Sequence, residues 1–202
     1  MRFLPSRQMG FSLIELMVGM AVGLIMLAAV VALTTSVLRT NAETVTVAKL
    51  TQEGRAIGDL ISRELRRARY SGNYIQFVGA NGTIPNAFGN VDILNGGNCI
   101  RFSYDTDDDG GVDPSEVKVI SLSAGAVYFA QFNTYAAATC AVTNALRISS
   151  PDVQVTSMTF ARNSGPNANP NRIDVSFQLG LTGNAAVTRR FDQAVQIRNP
   201  FL

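Results

Sequence analysis

Residues 9–33 read MGFSLIELMVGMAVGLIMLAAVVAL, and this stretch decides what kind of molecule the chain is. From residue 16 to residue 33 no charged or polar side chain interrupts it, and the next charge is Arg39. At about 1.5 Å of rise per helical residue, such a run crosses a bilayer core of about 30 Å. Arg2 and Arg7 precede it and no acid stands before Glu15. The excess of positive charge on that side predicts that the first residues stay in the cytoplasm and the rest of the chain lies outside it. Glu15, at the head of the run, is the anomaly. An acid at mid-membrane costs about 2.5 to 3.5 kcal/mol, less near the interface, so a carboxylate there points to a function.

An ordinary secretory signal peptide also has a basic start and an apolar stretch. Its apolar region is usually about 7 to 15 residues with a small-residue cleavage site at the far end. This run is longer and passes into a helical pattern. Met9-Gly10-Phe11-Ser12-Leu13-Ile14-Glu15-Leu16 resembles the processing site of type IV pilins and of type II secretion pseudopilins. The resemblance implies that a membrane-embedded prepilin peptidase cuts after Gly10 on the cytoplasmic side and methylates the new amine of Phe11. It also implies that Glu15 neutralises the N-terminal amine of a neighbouring subunit in an apolar filament core, which sets axial register. A Glu that merely caps the helix start, where the dipole favours it, is the simpler alternative. Gly19 and Gly23 form a GxxxG spacing on one helix face. It either lets another helix approach closely or reflects membrane composition.

Beyond Arg39 the chain turns polar, yet Leu50, Gly54, Ile57, Leu60, Ile61, Leu65 and Ala68 recur at helical spacing. Asp59 and Arg63 stand at i,i+4, Glu64 and Arg67 at i,i+3, and no proline occurs between residues 16 and 70. One helix from residue 11 to about residue 70 follows, roughly 90 Å long. Arg63, Arg66, Arg67 and Arg69 read as a solvated face near the helix end rather than a phosphate-binding patch, and Ser71, Gly72 and Asn73 supply the stop. Gln52-Glu53-Gly54-Arg55 through Arg69-Tyr70 resembles the corresponding helix of the minor pilin PilW family, and Val195-Gln196-Ile197-Arg198-Asn199 resembles PilW-like endings. Many major pilins carry a proline within the apolar helix. Its lack here points to a minor subunit.

With 202 residues, 47% of them apolar, the chain can build one folded head plus one extra element. The net charge of +2 gives no whole-chain attraction to nucleic acid. Histidine is absent, which removes the usual general base and the commonest metal ligand, and no GxSxG, HExxH, CxxC or phosphate-loop pattern occurs. The sequence therefore predicts a protein that is not an enzyme. Cys99 and Cys140 are too far apart for a redox CxxC; in an exported head they form a disulfide, or else remain two buried thiols. Closing a loop of roughly 40 residues contributes about 3 to 4 kcal/mol in the chain-entropy model.

Residues 79–98 are dense in Gly and Asn, contain Pro85, and read as an irregular connection. Strands are predicted over 99–104, 117–122, 126–132, 146–149, 153–162, 172–181 and 187–197. Ile173, Val175, Phe177, Leu179 and Leu181 alternate strictly, one face buried and one wet. The turn-rich 163–171 makes an antiparallel hairpin of its flanking strands. A sheet with a free apolar face and a helix with a matching stripe give one α+β core.

The sharpest local motif runs from Asp105 to Glu116, DTDDDGGVDPSE. Calcium, a hard cation wanting about six to eight oxygens, could take Asp105, Asp107, Asp109, the Gly111 carbonyl, Asp113 through water and both oxygens of Glu116, with Gly110 allowing the sharp turn. The flanking RFSY and VKVISL read as strands, not the helices of an EF-hand. A solvated acidic turn is the alternative.

The expected organisation is a cleaved leader over 1–10, a transmembrane and filament-core helix over 11–38, its periplasmic half over 39–72, and a β-rich periplasmic head over 73–202. The fold expected is α+β and pilin-like. The chain reads as a minor pilin that primes or joins assembly of a type IV pilus, single-pass in the bacterial inner membrane before it enters the pilus. Its partners would be the prepilin peptidase and other major and minor pilins, without nucleic acid. A minor pseudopilin of a type II secretion system shares the same leader chemistry, and a calcium-dependent adhesin at a pilus tip is a reading of another class. A membrane-tethered hydrolase lacks a base, a nucleophile motif and a metal site.

Overall fold

The computed structural model describes residues 10–73, 86–163 and 169–199. The leader with Arg2 and Arg7, the first part of the Gly- and Asn-rich connection with Pro85, and the tip of the 163–171 loop lie outside the described residues. Among the described residues one α-helix, α1 (Leu13–Arg67), is followed by strands and a short 3-10 turn (Asn95–Gly97), and the chain divides between Val45 and Thr46 into two compact units.

The first unit is the apolar part of α1. It is the one helix among the described residues that is long and apolar enough to cross a membrane. Every residue from 10 to 45 is exposed, so its leucines, valines and methionines have no protein core of their own. Past the apolar run the sequence becomes rich in threonine, a mediocre helix former. Here the hydroxyls bond back to the preceding turn: Thr34 to the Val30 carbonyl at 2.8 Å, Thr40 to Ser36 at 3.1 Å and Thr44 to Thr40 at 2.9 Å. Those bonds leave the helix unbroken.

In the second unit the rest of α1 buries Leu50, Gly54, Ile57, Ile61 and Leu65 of the predicted stripe and adds Gly58, while Leu60 is only half-buried and Ala68 is buried just past the helix end. The strands are β1 (Val91–Leu94), β2 (Cys99–Ser103), β3 (Val117–Ser123), β4 (Ala126–Phe132), β5 (Leu146–Arg147), β6 (Val153–Arg162), β7 (Arg172–Leu181) and β8 (Asn184–Gln196). All pairs are antiparallel, in two sheets of order β1-β2-β3-β4-β5 and β6-β7-β8. The fold is α+β and pilin-like. Ile57, Ile61 and Leu65 of α1, Ile100 and Ile120 of the first sheet, and Phe160, Ile173 and Phe177 of the second share one core.

Four features depart from the sequence reading. The strands form two sheets rather than one, because β5 is two residues long and is followed by Pro151, which cannot extend a ladder. The 148–152 corner instead docks on the helix through the Lys49–Asp152 ion pair at 2.6 Å and the Ser150 N–H to Glu53. β1 lies inside the stretch expected to be irregular. The helix ends at Arg67, before Tyr70, because Arg69 takes φ +66°, a left-handed conformation that stops a helix. Arg69 is also not part of a solvated face. It is 3% exposed, with its guanidinium donating to the Gly89 carbonyl at 2.9 Å and to Asn171 Oδ1 at 2.7 Å.

Candidate assembly site and acidic loop

At the start of α1 the Ser12 N–H donates to Glu15 Oε2 at 3.1 Å, and the Leu16 N–H reaches the Ser12 carbonyl at 3.3 Å. Ser12 is the residue before the helix and Glu15 its third residue, so the Glu folds back on the cap as in a capping box. The bond ties up one carboxylate oxygen. Phe11 is 89% exposed, and an added Cβ at Gly10, Gly19 or Gly23 would meet nothing within 4 Å. Gly19 and Gly23 therefore present a smooth, uncovered strip.

The acidic loop is organised from within, by two buried carboxylates. Asp105, 1% exposed, accepts the backbone N–H of Asp108 on Oδ1 at 2.8 Å and those of Gly72 and Gly110 on Oδ2, both at 2.9 Å. Burial alone would raise its pKa, but these N–H groups and that of Asp107 outweigh it and hold the carboxyl below its ordinary value. Glu116, fully buried, accepts the Thr106 N–H at 2.6 Å and hydroxyl at 2.9 Å on Oε1, and the Asp113 N–H at 2.9 Å on Oε2. Oε1 is thus filled. Gly110 turns the chain at φ +81°, and the Gly111 N–H bonds Asp109 Oδ1 at 2.7 Å.

Of the residues expected to ligate a cation, Asp105, Asp107 and Asp109 bring carboxylate oxygens within 4.8 Å of one another. Asp113 and Glu116 stand outside that group, although Asp113 is close enough to Asp109 for their charges to interact. Some burial and the charge of Asp109 raise the pKa of Asp107, and Asp109 followed by burial does the same for Asp113. Gly111 is exposed on the same turn.

Residues 5–31 match the prokaryotic N-terminal methylation motif, and residues 43–197 match the family described as prepilin peptidase-dependent protein B. The chain belongs to the prepilin peptidase-dependent protein B family. It is a type IV pilin-like protein. No curated protein and no solved structure matches it.

In this member of the prepilin peptidase-dependent protein B family, Cys99 and Cys140 are bridged, joining β2 to the segment between β4 and β5. The bridge sits in a small second core with Val117, Val119, Ala130 and Ala138. A polar network at the end of α1 escapes sequence reading. The Tyr104 hydroxyl donates to Glu64 Oε2 at 2.7 Å, the Arg67 guanidinium lies 4.2 Å from the Tyr104 ring centre and Lys118 Nζ 5.1 Å from it. Burial and the Glu64 acceptor push the Tyr104 hydroxyl up, so it stays a donor. No ion pair joins Asp59 to Arg63 or Glu64 to Arg67, as helical spacing alone would suggest. Gly58, which repeats Gly54 one turn on, was the readable signal that a strand lies close to the helix.

Proposed function

We propose that the chain is a minor pilin, of the PilW kind, that primes or joins assembly of a type IV pilus. In this reading the prepilin peptidase cuts after Gly10 and methylates Phe11. The single-pass helix holds the protein in the inner membrane with its head in the periplasm until it enters the filament beside other pilins. The role is structural, with no catalysis. The observation that carries the reading is Glu15 at the head of an apolar helix with no covering protein, four residues beyond the exposed Phe11. Family membership and the methylation motif support it.

The bond from Ser12 to Glu15 separates the two roles open to this carboxylate. A Gln can still accept the Ser12 N–H but carries no charge to neutralise a neighbour's amine. Glu15→Ala and Glu15→Gln should both be cleaved after Gly10, and both should fall at least tenfold in sheared filaments. Normal incorporation of Glu15→Gln would reduce Glu15 to a helix cap. A pair of smooth glycines at Gly19 and Gly23 suits close approach of a neighbouring helix in the same filament core.

A second reading concerns the head: the acidic loop binds calcium. It is favoured by the convergence of Asp105, Asp107 and Asp109. Glu116 Oε2 keeps a lone pair after its backbone bond. Millimolar calcium should raise the melting temperature of the full-length protein; no heat of binding and no shift would dispose of the idea.

A further inference from the structure

The C-terminal end of α1 borders an open pocket of about 600 Å³ whose walls include Arg63, Arg66, Arg67 and Arg198. Arg63 and Arg66 also face a neighbouring pocket of about 420 Å³, whose wall carries the acid Asp59. Two ordinary uses for arginines at this place are already met by other groups. Cations near a helix end commonly serve its free carbonyls. Here the Arg198 backbone N–H donates to the Arg66 carbonyl at 3.4 Å and the Tyr70 N–H to that of Arg67 at 3.1 Å. Asn199 Nδ2 reaches the Arg67 and Ala68 carbonyls at 3.4 and 3.1 Å.

Ion pairing is the second use. Among the described residues, the ion pairs are Lys49–Asp152, Arg101–Asp92, Arg172–Asp174 and Arg190–Asp192, none at this pocket. The acid on its wall, Glu64, accepts the Tyr104 hydroxyl instead. Arg67 is held by its stacking on the Tyr104 ring, which costs it side-chain freedom before any ligand arrives.

We propose that this pocket is an oxyanion site that takes a phosphate group or a cluster of carboxylates, carrying two or more negative charges in all, through Arg63, Arg66, Arg67 and Arg198. Guanidinium forks match both groups with paired hydrogen bonds. Four guanidinium charges around one open space, offset by the single carboxylate of Glu64, repel one another until an anion enters. The group is either a free anion in the medium or part of an acidic segment on another subunit; the recognising chemistry is the same.

The test uses the full-length protein in a non-ionic detergent at low salt, titrated calorimetrically with inorganic phosphate, citrate and a glutamate-rich peptide. Saturable binding of at least one probe is expected, weakened at least tenfold in the double variant Arg63→Gln/Arg66→Gln and weakened again by added sodium chloride. Arg55→Gln, exposed on the same helix and outside the pocket walls, should stay within twofold of wild type. Should the double variant melt early, Arg198→Gln alone must show the loss. Tightest binding of phosphate or citrate identifies a free anion, whereas a peptide bound tenfold more tightly than citrate identifies a subunit segment. No saturable binding of any probe at millimolar concentration, or wild-type affinity in both the double variant and Arg198→Gln, overturns the proposal.

Discussion

Asp105 and Asp107 stand two residues apart in the same acidic loop and do opposite things. Asp105 accepts three backbone N–H groups, including one from Gly72 just past the end of α1, and so fixes the loop to the helix. Asp107 is exposed, and some loss of hydration and the charge of Asp109 raise its pKa. In calcium-free buffer with chelator, Asp105→Asn should therefore lower stability by about 1.5 to 3 kcal/mol, the scale of hydrogen bonds to a charged acceptor. Asp107→Asn should leave it unchanged or slightly higher. Under the proposed calcium binding the order should change, because Asp107→Asn would lose the stabilisation that wild type would gain. The pH dependence has a definite sign. A carboxyl held below its ordinary value stabilises the fold fully above that value, near 3.8, and loses the contribution as pH falls through its lower folded pKa. Denaturant titrations at pH 7 and below pH 4, with and without calcium, check all of this. Equal losses for the two variants without calcium would sink the distinction.

At the scale of elements, the packing of α1 on β8 rests on two glycines of different kinds. An added Cβ at Gly54 would overlap the ring of Phe191, which is stacked on the buried Phe177 with centroids 5.2 Å apart. At Gly58 it would meet the end of the Gln193 side chain, which can swing away by giving up its 2.9 Å bond from Ser62. Alanine in a helix interior gains about 1 kcal/mol over glycine. Overpacking against a fixed ring costs about 1 to 3 kcal/mol and exceeds that gain. Gly54→Ala should thus destabilise the head while Gly58→Ala stays within about 0.5 kcal/mol of wild type, as denaturant midpoints will tell. The sequence pattern foretold the buried stripe and the bounds of β4, β6 and β7, since periodicity and flanking turn residues coincide there. It did not foretell β1, whose four residues lie between Gly89-Asn90 and Asn95-Gly96-Gly97, where turn signals outweigh a short apolar run. Spacing marked the acidic loop, but it could not show that Asp105 and Glu116 face inward to backbone donors. Nor could it show that Arg69 is buried, because its partners Gly89 and Asn171 are remote in sequence.

On the scale of the whole head, two cores of unequal size share the β3 and β4 strands. The larger holds α1 and both sheets, and the smaller holds the disulfide and the buried Ala138. The bridge closes a loop with a sequence separation of 41. The chain-entropy model gives about 3 to 4 kcal/mol for a loop of that order. Cys99 is a core residue at 1% exposure, so Cys99→Ala also removes a buried contact, whereas Cys140→Ala removes little beyond the bridge. The segment that follows β4, residues 133–145, is a run of short turns held by the bridge, by the buried Ala138 with the half-buried Tyr135, and by Arg101, which donates to the Tyr135 and Ala138 carbonyls at 2.9 and 3.2 Å. Loss of the bridge should free that segment while the larger core stays folded, because none of the helix stripe depends on it. Cys140→Ala should therefore lower the stability measured by denaturant titration by about 2 to 4 kcal/mol and open residues 133–145 to limited proteolysis, with strand and helix content preserved by circular dichroism. Cleavage elsewhere first, or a collapse of helix content, would mean that the two cores are one cooperative body and that the bridge supports the whole head.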